Sequence, residues 1–386
     1  MPSRVAQRTL GFGESVIREM SRVCAEQSGI NLAQGFPDFA APEAMKEAAV
    51  RAIRADINQY AVTWGSPNLR HAVATRTSSY NAIPTDANEN VTVCCGATEA
   101  MISALMAIID PGDEVIIFEP FYENYGPDCI LSGATPRFVR LSPPEWSFDH
   151  EELEAAFGER TRAIVINTPH NPTGKVFGRE ELEFIASLCQ KYDAIAITDE
   201  IYEYILYDGL EHISIASLPG MLDRTITISG LSKTWSATGW RIGWCVAPAD
   251  ITGAIRKVHD FLTVGAAAPL QEAAAEALQF DDSYFASLRT SYTERRDVLL
   301  SALTDSGFEV YHPRGAYYIM TDISGLTDKD DVSFAMSLLE NGGVATVPGS
   351  SFFHDPKDGR SIVRFCFAKR METLEAAALV LRQRLA

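Results

Sequence analysis

Ser229-Gly230-Leu231-Ser232-Lys233-Thr234-Trp235-Ser236-Ala237-Thr238-Gly239-Trp240-Arg241 places one lysine among small hydroxyl residues and glycines, with a single arginine eight residues on. Such a lysine belongs in a tight turn, not on a solvated helix face. Held there, it sheds its charge readily and acts as an amine nucleophile. Arginine's planar fork matches phosphate oxygens. An amine able to form a Schiff base beside a phosphate site points to pyridoxal phosphate.

Upstream, three more segments follow apolar runs that read as strands. Gly96-Ala97-Thr98-Glu99-Ala100 comes after Val91–Cys95 and opens a helical pattern. Amides at such a helix start receive phosphate, and Thr98 adds a hydroxyl or serves as a cap. His170-Asn171-Pro172-Thr173-Gly174 follows Ala163–Asn167, and its Asn171 amide is a donor for a phenolate-like oxygen. Taken alone it is also an ordinary turn. Thr198-Asp199-Glu200-Ile201-Tyr202 follows Ala194–Thr198. Asp199 suits a protonated pyridine nitrogen and Tyr202 a ring hydroxyl. Turns after parallel strands lie at the carboxyl edge of a sheet, where open α/β folds bind ligands. Four such segments in order outweigh the reading of each as a cap or turn.

Further apolar runs at Glu114–Phe118, Arg137–Leu141, Thr225–Ser229 and Ile242–Ala247 alternate with helix patterns at Thr98–Ile109, Arg179–Tyr192 and Ala249–Phe261. This alternation predicts an α/β domain with a mainly parallel central sheet sandwiched by helices. The last third reads as a smaller α+β domain. It has a long helix over about Asp281–Leu303, strands at Tyr317–Thr321, Val344–Val347 and Ile362–Phe367, and a closing helix from about Glu372. The expected division is an N-terminal segment 1–42 that packs with the small domain, a large cofactor-binding domain 43–280, and a small domain 281–386.

A length of 386 residues suits two domains. The net charge of −18 argues against nucleic acid or an anionic membrane surface as partner. The seven cysteines form no C-x-x-C pair, so buried thiols in a reducing compartment are expected, with no metal site. Met1–Arg8 carries no signal-like apolar stretch, and no run of eighteen apolar residues occurs. The expected location is cytoplasmic. Gly11-Phe12-Gly13 follows no strand and is no dinucleotide fingerprint.

On these motifs the chain resembles the class I/II aminotransferases of pyridoxal-phosphate fold type I over nearly its whole length. It is most similar to the branch holding kynurenine, aromatic and methionine/glutamine aminotransferases. Asn31-Leu32-Ala33-Gln34-Gly35-Phe36-Pro37-Asp38 and Asn58-Gln59-Tyr60 also match that branch.

The resemblance implies that Lys233 carries the cofactor covalently and serves as the proton-transfer base. By the same resemblance Asp199 meets the pyridine nitrogen, while Tyr202 and Asn171 meet the ring oxygen. Tyr122 stacks on the ring. The phosphate falls to Gly96, Ala97, Thr98 and Arg241, with Tyr60 reaching in from the neighbouring subunit of a homodimer with shared sites. Arg364 clamps the substrate carboxylate, aided by Asn171 and the Gly35 backbone; Phe12 and Phe36 line the side-chain pocket. Gly230 stands where the family often has Ser or Thr on the phosphate, leaving Ser229 and Ser232 as substitutes.

The implied reaction is ping-pong transfer of an amino group from an L-amino acid of broad, aromatic or methionine type to a 2-oxo acid such as 2-oxoglutarate. The runner-up keeps pyridoxal phosphate but ends differently, as a cysteine-conjugate β-lyase, an S-adenosylmethionine-using cyclase or an amino-acid oxidase. A ligand-sensing regulator and a cofactor-free binding protein rank lower.

Overall fold

A computed structural model describes residues 4–385, so the outermost residues of the N-terminal segment and of the small domain lie outside the described part. The chain opens with helix α1 (Val16–Glu26), strand β1 (Ile30–Asn31) and helices α2 (Glu43–Arg54) and α3 (Pro67–Tyr80). Then come β2 (Val91–Cys94), α4 (Ala97–Ile108), β3 (Glu114–Glu119), α5 (Tyr125–Ser132), β4 (Thr135–Ser142) and β5 (Ser147–Phe148). They lead to α6 (His150–Ala156), β6 (Thr161–Asn167), α7 (Arg179–Tyr192), β7 (Ile195–Asp199), β8 (Thr225–Gly230) and β9 (Gly243–Val246). Helices α8 (Ala249–Thr263), α9 (Ala268–Ala277) and α10 (Asp282–Asp305) precede β10 (Glu309–Tyr311) and β11 (Tyr318–Asp322). The end holds α11 (Asp331–Gly342), β12 (Val344–Ala345), β13 (Val347–Pro348), β14 (Ile362–Cys366) and α12 (Met371–Leu385).

Eight strands form the central sheet in the order β2-β9-β8-β7-β6-β3-β4-β5. From β8 to β4 every pairing is parallel. Strand β9 is antiparallel to both of its neighbours, so β2 again runs with the rest. Residues 231–242 between β8 and β9 hold the Lys233 turn and one 3-10 turn, with no crossover helix, and β9 returns antiparallel. Alternate residues of β3 divide between two cores. Ile116 and Phe118 pack with Leu182 and Ile185 of α7, whereas Val115 and Ile117 pack with Met101 and Leu105 of α4. Cover on both faces explains why these strands read as unbroken apolar runs.

A second, antiparallel sheet, β10-β11-β14-β13, packs with α10, α11 and α12. Strand β1 pairs in parallel with β12. The single strand expected at Val344–Val347 is two strands, because the chain changes partners at Thr346. Val344–Ala345 pairs with β1 and Val347–Pro348 with β14, while the Thr346 hydroxyl donates to the Arg364 carbonyl. Helices α2, α3, α5, α6, α9 and α11 were not foreseen. In α3 the polar Arg70 and Thr77 are buried, which blurs the apolar stripe that betrays a helix. Among the described residues no helix is long and apolar enough to cross a membrane.

Candidate active site

The ends of β2, β3, β6, β7 and β8 meet at one edge of the central sheet, and the segments after them line a cavity of about 330 Å³. After β2 the chain turns through Gly96 at φ +85°, and α4 starts with no side chain capping its first amides. Those amides are free for an anion and carry the positive end of the helix dipole. The Arg241 guanidinium lies where a Cβ on Gly96 would sit. A Cβ on Gly243 would come within 2.5 Å of the Ala97 nitrogen. Glycine at both positions therefore lets backbone and arginine close around a small pocket.

Lys233 stands on the turn after β8. Fully buried Leu231 and Trp235 pin that turn, and the Leu231 amide donates to the Ile242 carbonyl at 3.0 Å. The Lys233 Nζ donates to the Gly35 carbonyl at 3.2 Å and lies 5.8 Å from the Tyr202 and Tyr317 rings. Burial lowers its pKa to about 8, with Arg241 and Arg364 pushing the same way and Cys366 and Asp199 opposing. Gly230 has a local reason: a Cβ there would lie 2.8 Å from the Ile242 carbonyl oxygen and 2.9 Å from the Gly243 Cα. Of the two nearby serines, Ser232 lines the cavity. The Ser229 hydroxyl, the other candidate, instead donates to Glu203 at 2.6 Å within the core and does not line the cavity.

Asp199 ends β7 and is buried. Burial raises its pKa, against hydrogen bonds from Tyr125 and the Ile201 amide and the charge of Lys233. The Tyr125 hydroxyl donates to Asp199 Oδ2 at 2.7 Å. Tyr202 and Tyr318 join hydroxyls at 3.0 Å on the cavity wall, and Tyr122 lies on another wall, edge-on to Tyr125.

Arg364, in β14, is fully buried. Its Nη1 donates to Asn171 Oδ1 at 2.8 Å and its Nη2 to the Ala33 carbonyl at 2.9 Å, and its Nε has no partner. With Oδ1 so engaged, the Asn171 amide donors are left for a ligand. No carboxylate forms an ion pair with Arg364 among the described residues. A buried guanidinium without a counter-charge is costly unless an anion arrives.

The cavity thus brings together Gly35, Phe36, Ala97, Thr98, Tyr122, Asn171, Asp199, Tyr202, Ser232, Lys233, Arg241 and Arg364. Phe12 is half-buried but does not reach the wall, which Ser15, Ile17 and Arg18 form instead. Tyr60 is 88% exposed and lines no part of this chain's own cavity. Sequence reasoning missed Tyr125, Tyr318, Asp128 and Lys369. Tyr125 was within reach, three residues beyond Tyr122 at the head of a helix. Lys369 donates to the carbonyls of Gln34 and Phe36 and so shapes the Gly35 turn, a pairing across the whole chain that leaves no local signal.

The donor set fits pyridoxal phosphate: unclosed helix amides and Arg241 for the phosphate, a buried amine for the aldehyde, and a carboxylate for the ring nitrogen. Residues 27–381 match the family model "Aminotransferase class I and II". The methionine aminotransferase of Escherichia coli (strain K12) is 38% identical over 372 residues, covering 96% of each chain. Human kynurenine–oxoglutarate transaminase 1 is 38% identical, covering 98% of this chain and 97% of its own. The structure of N-succinyldiaminopimelate aminotransferase from Mycobacterium tuberculosis superposes with a TM-score of 0.96 at 38% identity, covering 99% of this chain and 100% of its own. The chain belongs to the class I and II aminotransferases, and its architecture is that of fold type I. It is an aminotransferase, of a family that depends on pyridoxal phosphate.

Proposed function

We propose that the enzyme moves the amino group of a broad range of L-amino acids, including aromatic and methionine-like ones, to a 2-oxo acid such as 2-oxoglutarate. The observation that carries this reading is Arg364, a buried guanidinium with an unpartnered Nε and no carboxylate beside it. Its free donors suit a substrate α-carboxylate in the paired geometry that arginine favours.

Bound pyridoxal phosphate supplies an electron sink that acidifies the Cα hydrogen of an attached amino acid. Around it the chain does the rest. Lys233 would hold the cofactor covalently and, as a free amine, would be the group at hand to move a proton at the substrate Cα through its Nζ. Its pKa of about 8 suits both tasks near neutral pH. Asp199 would hold a proton on the ring nitrogen, Asn171 and Tyr202 would donate to the ring oxygen, and Tyr122 would supply an aromatic face for the ring. The α4 amides of Ala97 and Thr98, with Gly96, Ser232 and Arg241, hold the phosphate. The order we propose is ping-pong, the first oxo acid leaving before the second binds.

The side-chain pocket has a mixed wall of Ile17, Phe36, Ser15, Arg18 and Gln34. Such a wall favours breadth over a single donor, as do relatives named for methionine, kynurenine and succinyldiaminopimelate. Tyr60 sits among exposed Ile57, Val62 and Trp64, and Phe261 is also exposed. Apolar surface of that kind supports a homodimer in which Tyr60 serves the partner's site. The free, mostly buried thiols suit a reducing, cytoplasmic setting.

A panel of L-amino acids against 2-oxoglutarate and pyruvate tests the reading. Stoichiometric exchange of amino acid for oxo acid, with parallel lines in double-reciprocal plots, is expected. Release of ammonia and pyruvate from a cysteine conjugate without an acceptor would overturn it in favour of elimination.

A further inference from the structure

Behind the phosphate turn lies a buried ion pair that the reaction does not use. Glu99 occupies the third position of α4. Its Oε2 accepts from the Cys95 amide at 2.9 Å, the residue before Gly96, and its Oε1 accepts from the Ser103 hydroxyl at 2.5 Å. A glutamate in this place reaches back over the helix start and holds the entering chain, as in a capping box.

His259, from α8, is fully buried and completes the cluster. Its Nδ1 lies 3.0 Å from both Glu99 oxygens, and its Nε2 lies 2.8 Å from the Thr63 carbonyl oxygen. Each ring nitrogen therefore faces an acceptor, which suits the doubly protonated ring, and Nδ1 also lies 3.2 Å from the Thr263 hydroxyl. Although burial opposes the charge on each, the pair draws His259 up and Glu99 down, so the two directions agree.

Thr63 belongs to the loop that carries Tyr60. That loop is stitched to β2 by the Val93 amide, which donates to the Trp64 carbonyl at 3.0 Å. The Cys95 thiol meets the Gly265 carbonyl at 3.6 Å, beyond the end of α8. One ion pair thus spans three pieces of chain: the phosphate turn, the Tyr60 loop and α8.

We propose that Glu99 and His259 are positioning residues that set the shape of the phosphate turn and lock it to the Tyr60 loop. The inference rests on the cofactor reading above. In a dimer in which Tyr60 serves the partner, the same pair ties each chain's own phosphate site to the loop it lends. Glu99 and His259 act on the cofactor only through the backbone amides they hold.

The test uses the wild type, His259→Gln and Glu99→Gln, each stripped of cofactor and titrated with pyridoxal phosphate while the near-visible absorbance is followed. Inorganic phosphate binding to the same stripped proteins is measured alongside. Both variants should bind pyridoxal phosphate roughly tenfold to a hundredfold more weakly, the scale seen when groups that orient metal ligands are removed. They should also bind inorganic phosphate more weakly, while kcat at saturating cofactor changes less than about threefold. A purely structural role would lower the melting temperature of the stripped protein and leave both affinities at the wild-type value, and that result overturns the proposal. Should a variant not fold, nitrogen NMR of histidine-labelled wild type decides. Two ring protons on His259 support the pair, and one overturns it. If the wild type itself gains no near-visible absorbance, the cofactor reading fails instead.

Discussion

The Tyr125 hydroxyl donates to Asp199 Oδ2 across 2.7 Å, joining the head of α5 to the end of β7 at the floor of the cavity. Burial raises the Asp199 pKa, and this hydrogen bond is the first of the effects that hold it down. Tyr125 itself stays neutral, because burial and the neighbouring carboxylate raise its pKa well above the usual value. Tyr125→Phe removes the donor and keeps the ring. Asp199 should then titrate at higher pH, so the acidic limb of the kcat/KM profile moves upward. At pH 7 activity should fall by roughly tenfold, the worth of one hydrogen bond to a charged group. An unmoved acidic limb would show that Tyr125 does not govern Asp199.

Lys233 should behave as an amine that is half neutral near pH 8, since burial lowers its pKa to about that value. Only the neutral amine attacks an aldehyde. The rate at which the stripped protein combines with pyridoxal phosphate should rise with pH and level off above about 8. Lys233→Ala should abolish the near-visible absorbance and turnover together. Retained transamination in that variant would remove Lys233 from the mechanism.

Arg364→Lys replaces a two-pronged donor by a point charge. The contacts to Asn171 and Ala33 use separate guanidinium nitrogens, and one ammonium cannot serve both and a carboxylate as well. KM for the amino acid should rise by about a hundredfold, with pyridoxal phosphate binding little changed. Steady-state kinetics with two unrelated donors check this, because a lost carboxylate clamp affects both alike.

Asp128 presents a contrast on α5. It is buried, its Oδ2 has no partner, and burial alone raises its pKa to about 7. The folded state therefore binds a proton that the unfolded chain releases near pH 4. Its penalty is absent below pH 4, grows from pH 4 to 7, and is complete above that. Asp128→Asn should stabilise the protein at pH 8 by on the order of 1–3 kcal/mol and change little at pH 4. Urea unfolding at the two pH values measures the difference. Equal shifts at both would show that the carboxyl does not titrate this way.

How much was legible in the sequence follows from how local each signal is. Lys233, Asp199, Asn171 and Thr98 were readable because each sits at the end of a strand or a few residues past it, where the chain must turn at the sheet edge. Strands β3, β6, β7 and β8 were readable because double-sided burial demands unbroken apolar runs. Helix α3, with buried Arg70 and Thr77, and the Ala-rich α9 carry no such stripe.

The sequence by itself determined the fold class and the four strand-end segments, Lys233 among them, that line one cavity, since turn chemistry and strand periodicity act over a few residues. The tertiary structure alone decided which groups share a wall. It set Tyr125 on Asp199, Lys369 beneath the Gly35 turn, Ser229 on Glu203 and not in the cavity, and His259 against Glu99. These pairings join residues tens to hundreds of positions apart. They form because buried polar groups must find partners wherever folding has brought them, and no local pattern records which partner that will be.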